Sequence, residues 1–249
     1  RRMNQTLEGI ARALFKSWFV DFDPVRAKAA GQQPPGLAPH IADLFQDEFV
    51  KSEIGEIPKG WEVSTLGQII EIHDSKRIPL SSRERSKRQG IYPYYGAAGI
   101  IDYVNDYLFD GIYVLIGEDG SVITEQGNPV VQYVWGKFWV NNHAHVLTGA
   151  MGVSNEHLML LLKQIYLLPY VTGAVQPKLS QTNMKAIPIV QAPVVLNEVF
   201  GQFIAPLFSK SRLLYEQNMT LAALRDTLLP KLISGELRVP EKITQDLQD

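Results

Sequence analysis

The 249-residue chain contains no cysteine. This absence excludes disulfides, thiolate nucleophiles and cysteine-ligated zinc, and it is compatible with a reducing compartment. No apolar run approaches the ~20 residues that are needed to cross a bilayer, and the N-terminal residues predict an amphipathic helix rather than a signal sequence. The sequence therefore predicts a cytoplasmic protein with no membrane partner.

The motifs of several enzyme classes are absent as well. No Gly-Lys-Ser/Thr follows a glycine at P-loop spacing, which excludes a Walker-type motor in this chain. An amino-methyltransferase acting on DNA needs a cofactor-binding glycine turn and an Asn/Asp-Pro-Pro-aromatic motif, and Asn128-Pro129-Val130 lacks the second proline and the aromatic residue. Ser121 lacks the Gly-x-Ser-x-Gly turn of a hydrolase. We therefore predict a non-catalytic chain without a cofactor of its own.

Two acidic residues and two histidines leave an alternative open. Glu118 and Asp119 are interpreted as turn-formers, because no lysine follows them at the spacing of a metal nuclease. His143 and His145 would share one face of a strand, but no third ligand is evident nearby, so we predict no metal site. The alternative is a metal-dependent nuclease or hydrolase that uses these four residues. A further alternative is a structural protein whose coiled coil is its function.

Positive charge is nearly balanced by negative charge overall but is locally concentrated. The formal net charge of -2 predicts no global attraction to nucleic acid. Between positions 76 and 88, however, the sequence contains one acidic residue, Glu84, and six cations: Lys76, Arg77, Arg83, Arg85, Lys87 and Arg88. Tyrosines follow directly at 92, 94 and 95, and cations beside stacking groups suit a phosphate backbone. The segment therefore predicts DNA contact, with a merely solvated loop as the alternative.

The two ends of the chain carry similar amphipathic patterns. The N-terminal stripe contains Leu7, Ile10, Leu14 and Trp18, and the C-terminal stripe contains Leu207, Leu214, Leu221, Leu224 and Leu228. Each stripe can be buried only against a partner, and the obvious partner is the other stripe, although the similarity could also arise by chance. We predict a coiled-coil spacer whose second helix runs regularly from about Leu207 to Leu229. It would start or kink near Pro206 and end at Pro230 or Gly235.

Between these helices the pattern predicts a mixed α and β body. Residues 112–116 read as a strand, and residues 130–135 as another that pairs across Gly136-Lys137 with residues 138–140. Ser154 is a natural N-cap for a helix that buries Leu158, Leu161, Leu162, Ile165 and Leu168 before Pro169 stops it. Residues 31–36 read as an exposed linker. The fold class is therefore α+β.

Six phrases in this order resemble the DNA specificity subunit of type I restriction-modification enzymes. They are IPKGWE at 57–62, YGAAGI at 95–100, GEDGS at 117–121, VNNHAHV at 140–146, GAVQPKL at 173–179 and LLPKLISGEL at 228–237. Subunits of that family usually hold two target recognition domains separated by two long helices, which pack antiparallel and dock the methylating subunits. With one body, the chain resembles the C-terminal half, or a half-subunit that could homodimerise.

The resemblance implies a domain plan and a mechanism. Residues 1–23 would end the central conserved helix, 24–56 would be a linker, 57–195 the target recognition domain, 196–235 the distal coiled-coil helix and 236–249 a tail. The domain would read one half of a bipartite double-stranded DNA target. The six cations would contact phosphates, and base edges would be read by Tyr95, Asn142, His143, Gln176 and Lys178, unless the loop of the last two merely closes the domain.

The same resemblance assigns the chemistry to other chains. Methylation would belong to methyltransferase subunits that bind S-adenosylmethionine. Cleavage would belong to a restriction and motor subunit that uses ATP and Mg²⁺. This chain would supply the address and the spacing.

Overall fold

The structure is a computed structural model that describes residues 2–173 and 175–238. Its contacts form two units: residues 11–205, and the described residues of 1–10 and 206–249. Residues 239–249 of the predicted tail, and Ala174, lie outside the described residues. No helix within the described ranges has the length and apolar character that a bilayer crossing requires.

The chain is a mixture of helices and strands, which confirms the predicted α+β class. The helices are α1 (Arg2–Phe19), α2 (Asp23–Ala29), α3 (Pro39–Ala42), α4 (Ser82–Ser86), α5 (Asn155–Leu162), α6 (Gln181–Lys185) and α7 (Val194–Ile233). The strands are β1 (Phe49–Ser52), β2 (Gly55–Pro58), β3 (Glu62–Thr65), β4 (Ile70–Ile72), β5 (Gln89–Tyr95), β6 (Ile100–Val104), β7 (Phe109–Gly117), β8 (Val131–Val140), β9 (Ala144–Gly149) and β10 (Pro188–Gln191).

A six-stranded sheet forms the centre of the larger unit, in the order β4-β9-β7-β8-β5-β6. Its neighbours pair antiparallel except β5 and β8, which are parallel. Strands β1 with β2, and β3 with β10, form two separate antiparallel pairs. The apolar residues of the long strands bury one core, which includes Phe109, Leu115, Val134, Phe138 and Val146.

Strand β8 is continuous, so the hairpin predicted at Gly136-Lys137 was wrong. Gly136 lies opposite Gly111 in the register with β7, and their φ angles are 78° and 135°. Such φ angles are readily accessible only to glycine, so two facing glycines allow a paired ribbon to bend without ending. Phe109 and Phe138 lie on one side of the glycine pair along the ribbon, yet they share a core with Leu115 and Val134 on the other side.

Helix α5 begins as predicted and ends earlier than predicted. The Ser154 hydroxyl accepts a hydrogen bond from the His157 backbone N–H at 3.1 Å, which confirms the N-cap. The helix stops at Leu162, and Leu168 is 48% exposed rather than buried. Instead of continuing the helix, the Ile165 carbonyl accepts a hydrogen bond from the Asn128 side chain at 2.9 Å.

The segment 24–56, which was predicted as a linker, is folded. It contains α2, α3 and the β1–β2 hairpin. Val25 is fully buried, and Phe45 is buried against Trp18, with ring centroids 5.2 Å apart. The prediction failed because these few apolar residues lack a regular period, whereas tertiary packing buries them individually. The outer domain boundaries stay predictions.

Helix α7 is longer than predicted. It runs through Pro206 and Pro230, so neither proline starts or ends it. An interior proline costs about 3 kcal/mol, and burial of Leu196, Phe200 and Ile204 in the larger unit helps the helix to begin well before Pro206. The helix ends next to Gly235, whose φ of 76° is that of a C-terminal glycine, as predicted.

The terminal helices contact each other, but not along the whole predicted seam. In the larger unit the centroid of the Trp18 ring lies 5.4 Å from the ring centroid of Phe200 and 5.8 Å from that of Phe203. In the smaller unit the Asn4 side chain donates to the Ser211 carbonyl at 3.3 Å. The other predicted seam residues on both helices are partly buried at Leu7, Leu14, Leu207 and Leu214 and exposed at Ile10.

The far end of the predicted seam is open. Leu221, Leu224 and Leu228 are 63%, 50% and 41% exposed, so their predicted burial against the N-terminal helix was wrong. Within the described residues α1 spans 18 residues and α7 spans 40, so the described part of α1 covers only part of α7.

Candidate nucleic-acid interface

The six cations of the basic segment divide into two groups. Lys76 is exposed in the turn after β4, and Arg83, Lys87 and Arg88 are exposed in or directly after the short helix α4. Ser81 and Glu84 form a capping box at the start of this helix, which fixes its first turn. These four side chains are therefore available for the predicted phosphate contacts.

Arg85 is held inside the protein. Its Nε donates to Asp102 Oδ2 at 2.9 Å, its Nη1 donates to the Leu80 carbonyl at 2.7 Å, and the guanidinium lies 5.2 Å from the Tyr94 ring centroid. Hydrogen bonds from the Tyr103 N–H, from Gln89 and from Arg85 lower the pKa of Asp102, so this carboxylate is ionised at neutral pH. Arg85 therefore anchors α4 to β6, which corrects its assignment as a phosphate contact.

Arg77 is also internal and lies in a cluster of charged groups. Its Nη1 donates to Glu118 Oε2 at 2.7 Å and to the Ala144 carbonyl at 2.6 Å, and its Nη2 lies 3.3 Å from Asp74 Oδ2. The side chain is only 11% exposed. Its assignment as a phosphate contact was therefore wrong, because the guanidinium is already paired with the carboxylates of Asp74 and Glu118.

His145 completes this cluster, which we call the ion network: Asp74, Arg77, Glu118 and His145. The His145 Nδ1 lies 2.6 Å from Asp74 Oδ2, and its Nε2 lies 2.8 Å from the Leu179 carbonyl. Asp74 also accepts hydrogen bonds from the Val146 N–H at 2.9 Å and from the Gln181 side chain at 2.6 Å.

The protonation of Asp74 follows from these contacts. Burial alone would raise its pKa, but the hydrogen bonds from His145 and from the Val146 N–H, together with the charges of His145 and Arg77, outweigh burial and lower the pKa. Asp74 is therefore an ionised carboxylate at neutral pH. A charge buried in this way is tolerated because each of its oxygens has a partner.

The ion network has the spacing of a metal site but is already closed by protein groups. Ligand atoms of Asp74, Glu118 and His145 lie within 4.8 Å of one another. Arg77 contacts both carboxylates, and both ring nitrogens of His145 have protein partners, so a metal ion would have to displace these contacts. The geometry therefore favours an ion network over the metal-dependent alternative.

The two histidines do not share a ligand face as the sequence pattern suggested. His143 lies in the turn before β9, is 47% exposed and pairs with Asp119, whereas the His145 side chain is 1% exposed. The third potential ligand, Asp74, is 71 positions away in the chain. No local spacing could have revealed it, and the same holds for Gln181.

Three loops that border the ion network are joined by hydrogen bonds, and we call them the three-loop surface: residues 118–121, residues 141–143, and residues 172–173 with 175–178. The Glu118 N–H donates to the His143 carbonyl at 2.8 Å, and the Gly120 N–H donates to the Pro177 carbonyl at 2.9 Å. Backbone bonds between Thr172 and Lys178, at 2.9 and 2.7 Å, close the third loop. Four predicted base-reading residues lie exposed on this surface: Asn142, His143, Gln176 and Lys178.

Tyr95, the fifth predicted reader, is attached to this surface through its backbone. Its carbonyl accepts a hydrogen bond from the Asn141 N–H at 3.0 Å, while its ring packs edge-on against Phe138 at 5.8 Å. The turn that follows Tyr95 is held by Gln132, whose side chain donates to the carbonyls of Gly96 and Ala97 at 3.0 and 3.1 Å. Sequence reasoning missed Gln132, because its targets are main-chain atoms.

A second cationic and aromatic group was also missed. Lys137 Nζ lies 4.5 Å from the Tyr107 ring centroid, and Tyr92 lies 5.1 Å from Tyr107. The hydrogen bond with Tyr107 raises the pKa of Lys137, which keeps this exposed amine cationic. Lys137 was read as part of a turn, so its charge was not considered with the basic segment.

Comparison with known proteins gives one family. A family model described as the type I restriction modification DNA specificity domain matches residues 58–209. The type I restriction enzyme MjaIX specificity subunit of Methanocaldococcus jannaschii is 30% identical over an aligned length of 263 residues. The alignment covers 97% of this chain and 55% of that protein. A putative type I restriction enzyme specificity subunit, S.HindORF215P of Haemophilus influenzae, is 38% identical over 133 residues, 53% of this chain and 34% of the relative.

A solved structure agrees in fold. The S subunit of a type I restriction-modification system from M. genitalium matches with a TM-score of 0.55 and 20% identity, over 92% of this chain and 55% of that subunit. The chain thus spans about half the length of the relatives that match most of it.

Proposed function

The chain belongs to the type I restriction-modification DNA specificity family, and from that premise we propose that it binds double-stranded DNA and reads one half of a bipartite target. The observation that carries the proposal is the three-loop surface within the matched region. It brings the neighbouring residues Asn142 and His143 together with Gln176 and Lys178, which come from a different part of the chain. Amide side chains can pair with adenine and lysine can reach the guanine acceptors, so the chemistry of this surface suits readout of base edges.

The exposed cations would supply most of the affinity of the domain for DNA. Lys76, Arg83, Lys87 and Arg88 would contact phosphates and set the position of the domain on the duplex, without reading sequence. Phosphate contacts release counterions, so their number is measurable as a salt dependence.

The exposed part of α7 offers a surface on which partner subunits could dock. Leu221, Leu224 and Leu228 form an uncovered apolar stripe, which suits a helix of another chain. We propose that this stripe docks the methyltransferase subunits or a second half-subunit. Methylation with S-adenosylmethionine, and cleavage with ATP and Mg²⁺, would be carried out by partner subunits in the cytoplasm, and this chain would be non-catalytic.

The direct experiment is a methylome of host cells with and without the gene. Loss of one bipartite methylation motif is the expected result, and the half-site would then be named. An unchanged methylome, with the partner subunits expressed, would refute the proposal.

Salt dependence then tests the phosphate contacts on a duplex that carries the motif. Four contacts predict a slope of log affinity against log salt of about -4, and replacing Arg83, Lys87 and Arg88 together by Ala should bring it to about -1. The matched control replaces the exposed Lys51, Lys59 and Lys210 by Ala and should leave the slope unchanged. Equal effects of the two triple variants would show that the basic segment is not the footprint.

The same measurements separate the alternatives. A purely structural coiled-coil protein would bind duplex DNA weakly and with little salt dependence. A nuclease would cut plasmid DNA with a divalent metal in the absence of partner subunits, and Glu118→Ala would abolish the cutting. Either outcome would replace the proposal.

A further inference from the structure

The ion network lies where all three loops of the three-loop surface begin or end. Glu118 is the first residue of the first loop. His145 follows the second loop by two residues, and the Ala144 carbonyl beside it accepts from Arg77. The third loop ends at Lys178, and the next residue, Leu179, accepts a hydrogen bond from His145 through its carbonyl. One buried cluster therefore contacts the base of every loop.

Backbone bonds couple the same loops to one another. The Leu179 N–H donates to the Glu118 carbonyl at 2.8 Å, and the Glu118 N–H donates to the His143 carbonyl at 2.8 Å. Lys178 adds a weaker link, because its Nζ lies 3.8 Å from Glu118 Oε1. Displacement of Glu118 would therefore shift the first loop and the attachments of the other two.

The network itself is anchored to the sheet and the helices. Asp74 accepts from the Val146 N–H of β9 and from Gln181 at the start of α6. Arg77 also donates through Nε to the Asp74 carbonyl at 3.2 Å. Removing one partner of a buried, hydrogen-bonded charge leaves the others unpaired, so such a cluster tolerates one geometry far better than any other.

We propose that the Asp74, Arg77, Glu118 and His145 network positions the three-loop surface for sequence discrimination, so that these buried residues determine specificity without touching DNA. The inference rests on the proposed function. Base readout depends on donors and acceptors held at hydrogen-bond distance, whereas phosphate contact tolerates displacement far better. Loosening the network therefore reduces discrimination between sequences and leaves the phosphate contacts in place.

The experiment uses Glu118→Gln in the full chain, with Asp74→Asn as a second variant. Glu118→Gln keeps the size and the backbone bonds of the residue and removes the charge that holds Arg77. Glu156→Gln is the matched control, because Glu156 is a buried carboxylate of the same unit, on α5, that accepts from the Tyr133 hydroxyl at 2.6 Å. Circular dichroism and thermal unfolding select the variants that are folded.

The first readout needs no DNA. Hydrogen exchange at the N–H groups of Glu118, Gly120 and Leu179 should accelerate about tenfold or more in Glu118→Gln, and it should not change in Glu156→Gln. The second readout is the affinity ratio between the motif duplex and a scrambled duplex, measured over several salt concentrations. This ratio should fall about tenfold in Glu118→Gln while the salt slope stays unchanged.

The outcomes are distinct. Unchanged exchange in Glu118→Gln, or an unchanged affinity ratio, overturns the positioning role. Equal losses in Glu156→Gln would also overturn it, because a general loss of stability would then explain both. If the unaltered protein does not discriminate between duplexes, the proposed function fails, and the exchange measurement still decides whether the network holds the loops.

Discussion

Two segments of α7 carry the same kind of apolar residues in opposite environments. In the first segment, Val194 to Ala205, Leu196 is 1% exposed and Phe200 and Ile204 are fully buried. In the second segment, from Pro206 onward, Leu221 and Leu224 are at least half exposed. Helical periodicity therefore predicts that an apolar stripe is buried, but it does not predict whether the same chain or another chain buries it.

The side chains that bury the first segment are mostly aromatic and belong to the same unit. The ring centroid of Phe200 lies 4.8 Å from that of Phe19 and 4.9 Å from that of His157. Phe15 and Trp18 lie against the same ring, with centroids 6.1 and 5.4 Å away. Burial of this cluster fixes the start of α7 in the larger unit, and no described residue does the same for Leu221, which is 63% exposed.

Substitution of the buried Phe200 should destabilise the chain far more than substitution of the exposed Leu221. Phe200→Ala should lower the free energy of unfolding by about 3 to 5 kcal/mol, since it removes a fully buried ring and leaves a cavity. Leu221→Ala should change it by less than about 0.5 kcal/mol. Urea unfolding followed by tryptophan fluorescence measures both. Similar losses at the two positions would contradict the assigned burial.

Between pH 7 and pH 5, a smaller effect arises from the histidine inside the aromatic cluster. Burial lowers the pKa of His157 to about 3, and its Nδ1 has no hydrogen-bond partner. Because the unfolded chain takes up this proton below about pH 6.5 and the folded chain does not, stability should fall by roughly 1.4 kcal/mol per pH unit between about pH 6 and pH 3. The pKa of Asp74 is lowered too, but its stabilising contribution is lost only below about pH 4, as the carboxylate is protonated.

Unfolding midpoints at pH 7, 6 and 5 test this sensitivity to acid. His157→Phe should remove a large part of the decrease between pH 6 and pH 5, whereas His40→Gln, at an exposed histidine, should leave it unchanged. An identical pH profile for His157→Phe and the unaltered protein would exclude His157 as the source.

A charge on the exposed stripe of α7 should change assembly but hardly change stability. Leu221→Asp should change the free energy of unfolding of the isolated chain by less than about 0.5 kcal/mol, because the residue is exposed. It should nevertheless abolish association with the methyltransferase subunits or with a second copy, since the charge would have to be buried. Sizing of the assembly with Leu221→Asp and with Ala223→Asp, on the opposite helix face, measures this. Normal assembly by both variants would show that the stripe is not the docking surface.

Local signals in the chain predicted several features correctly. Ser154 was recognised as an N-cap and Gly235 as a helix stop, because capping depends on neighbouring backbone groups. Local signals failed where a residue has two possible uses. The pattern at Gly136 predicts a turn although the residue lies within a paired strand, and the pattern at Arg77 predicts a phosphate contact although the residue lies between Asp74 and Glu118.

By itself, the sequence determined the mixed α and β class, the apolar stripes on the terminal helices and, through its motifs, the family. The tertiary structure alone decided which charges face inward, which part of α7 is covered, and that Asn142, His143, Gln176 and Lys178 share one surface. The physical reason is separation along the chain, because His145 meets a carboxylate 71 positions away and Gln181 meets the same carboxylate 107 positions away. Periodicity and spacing report only on neighbours within a few turns, whereas a buried charge must find its partner wherever the fold brings one.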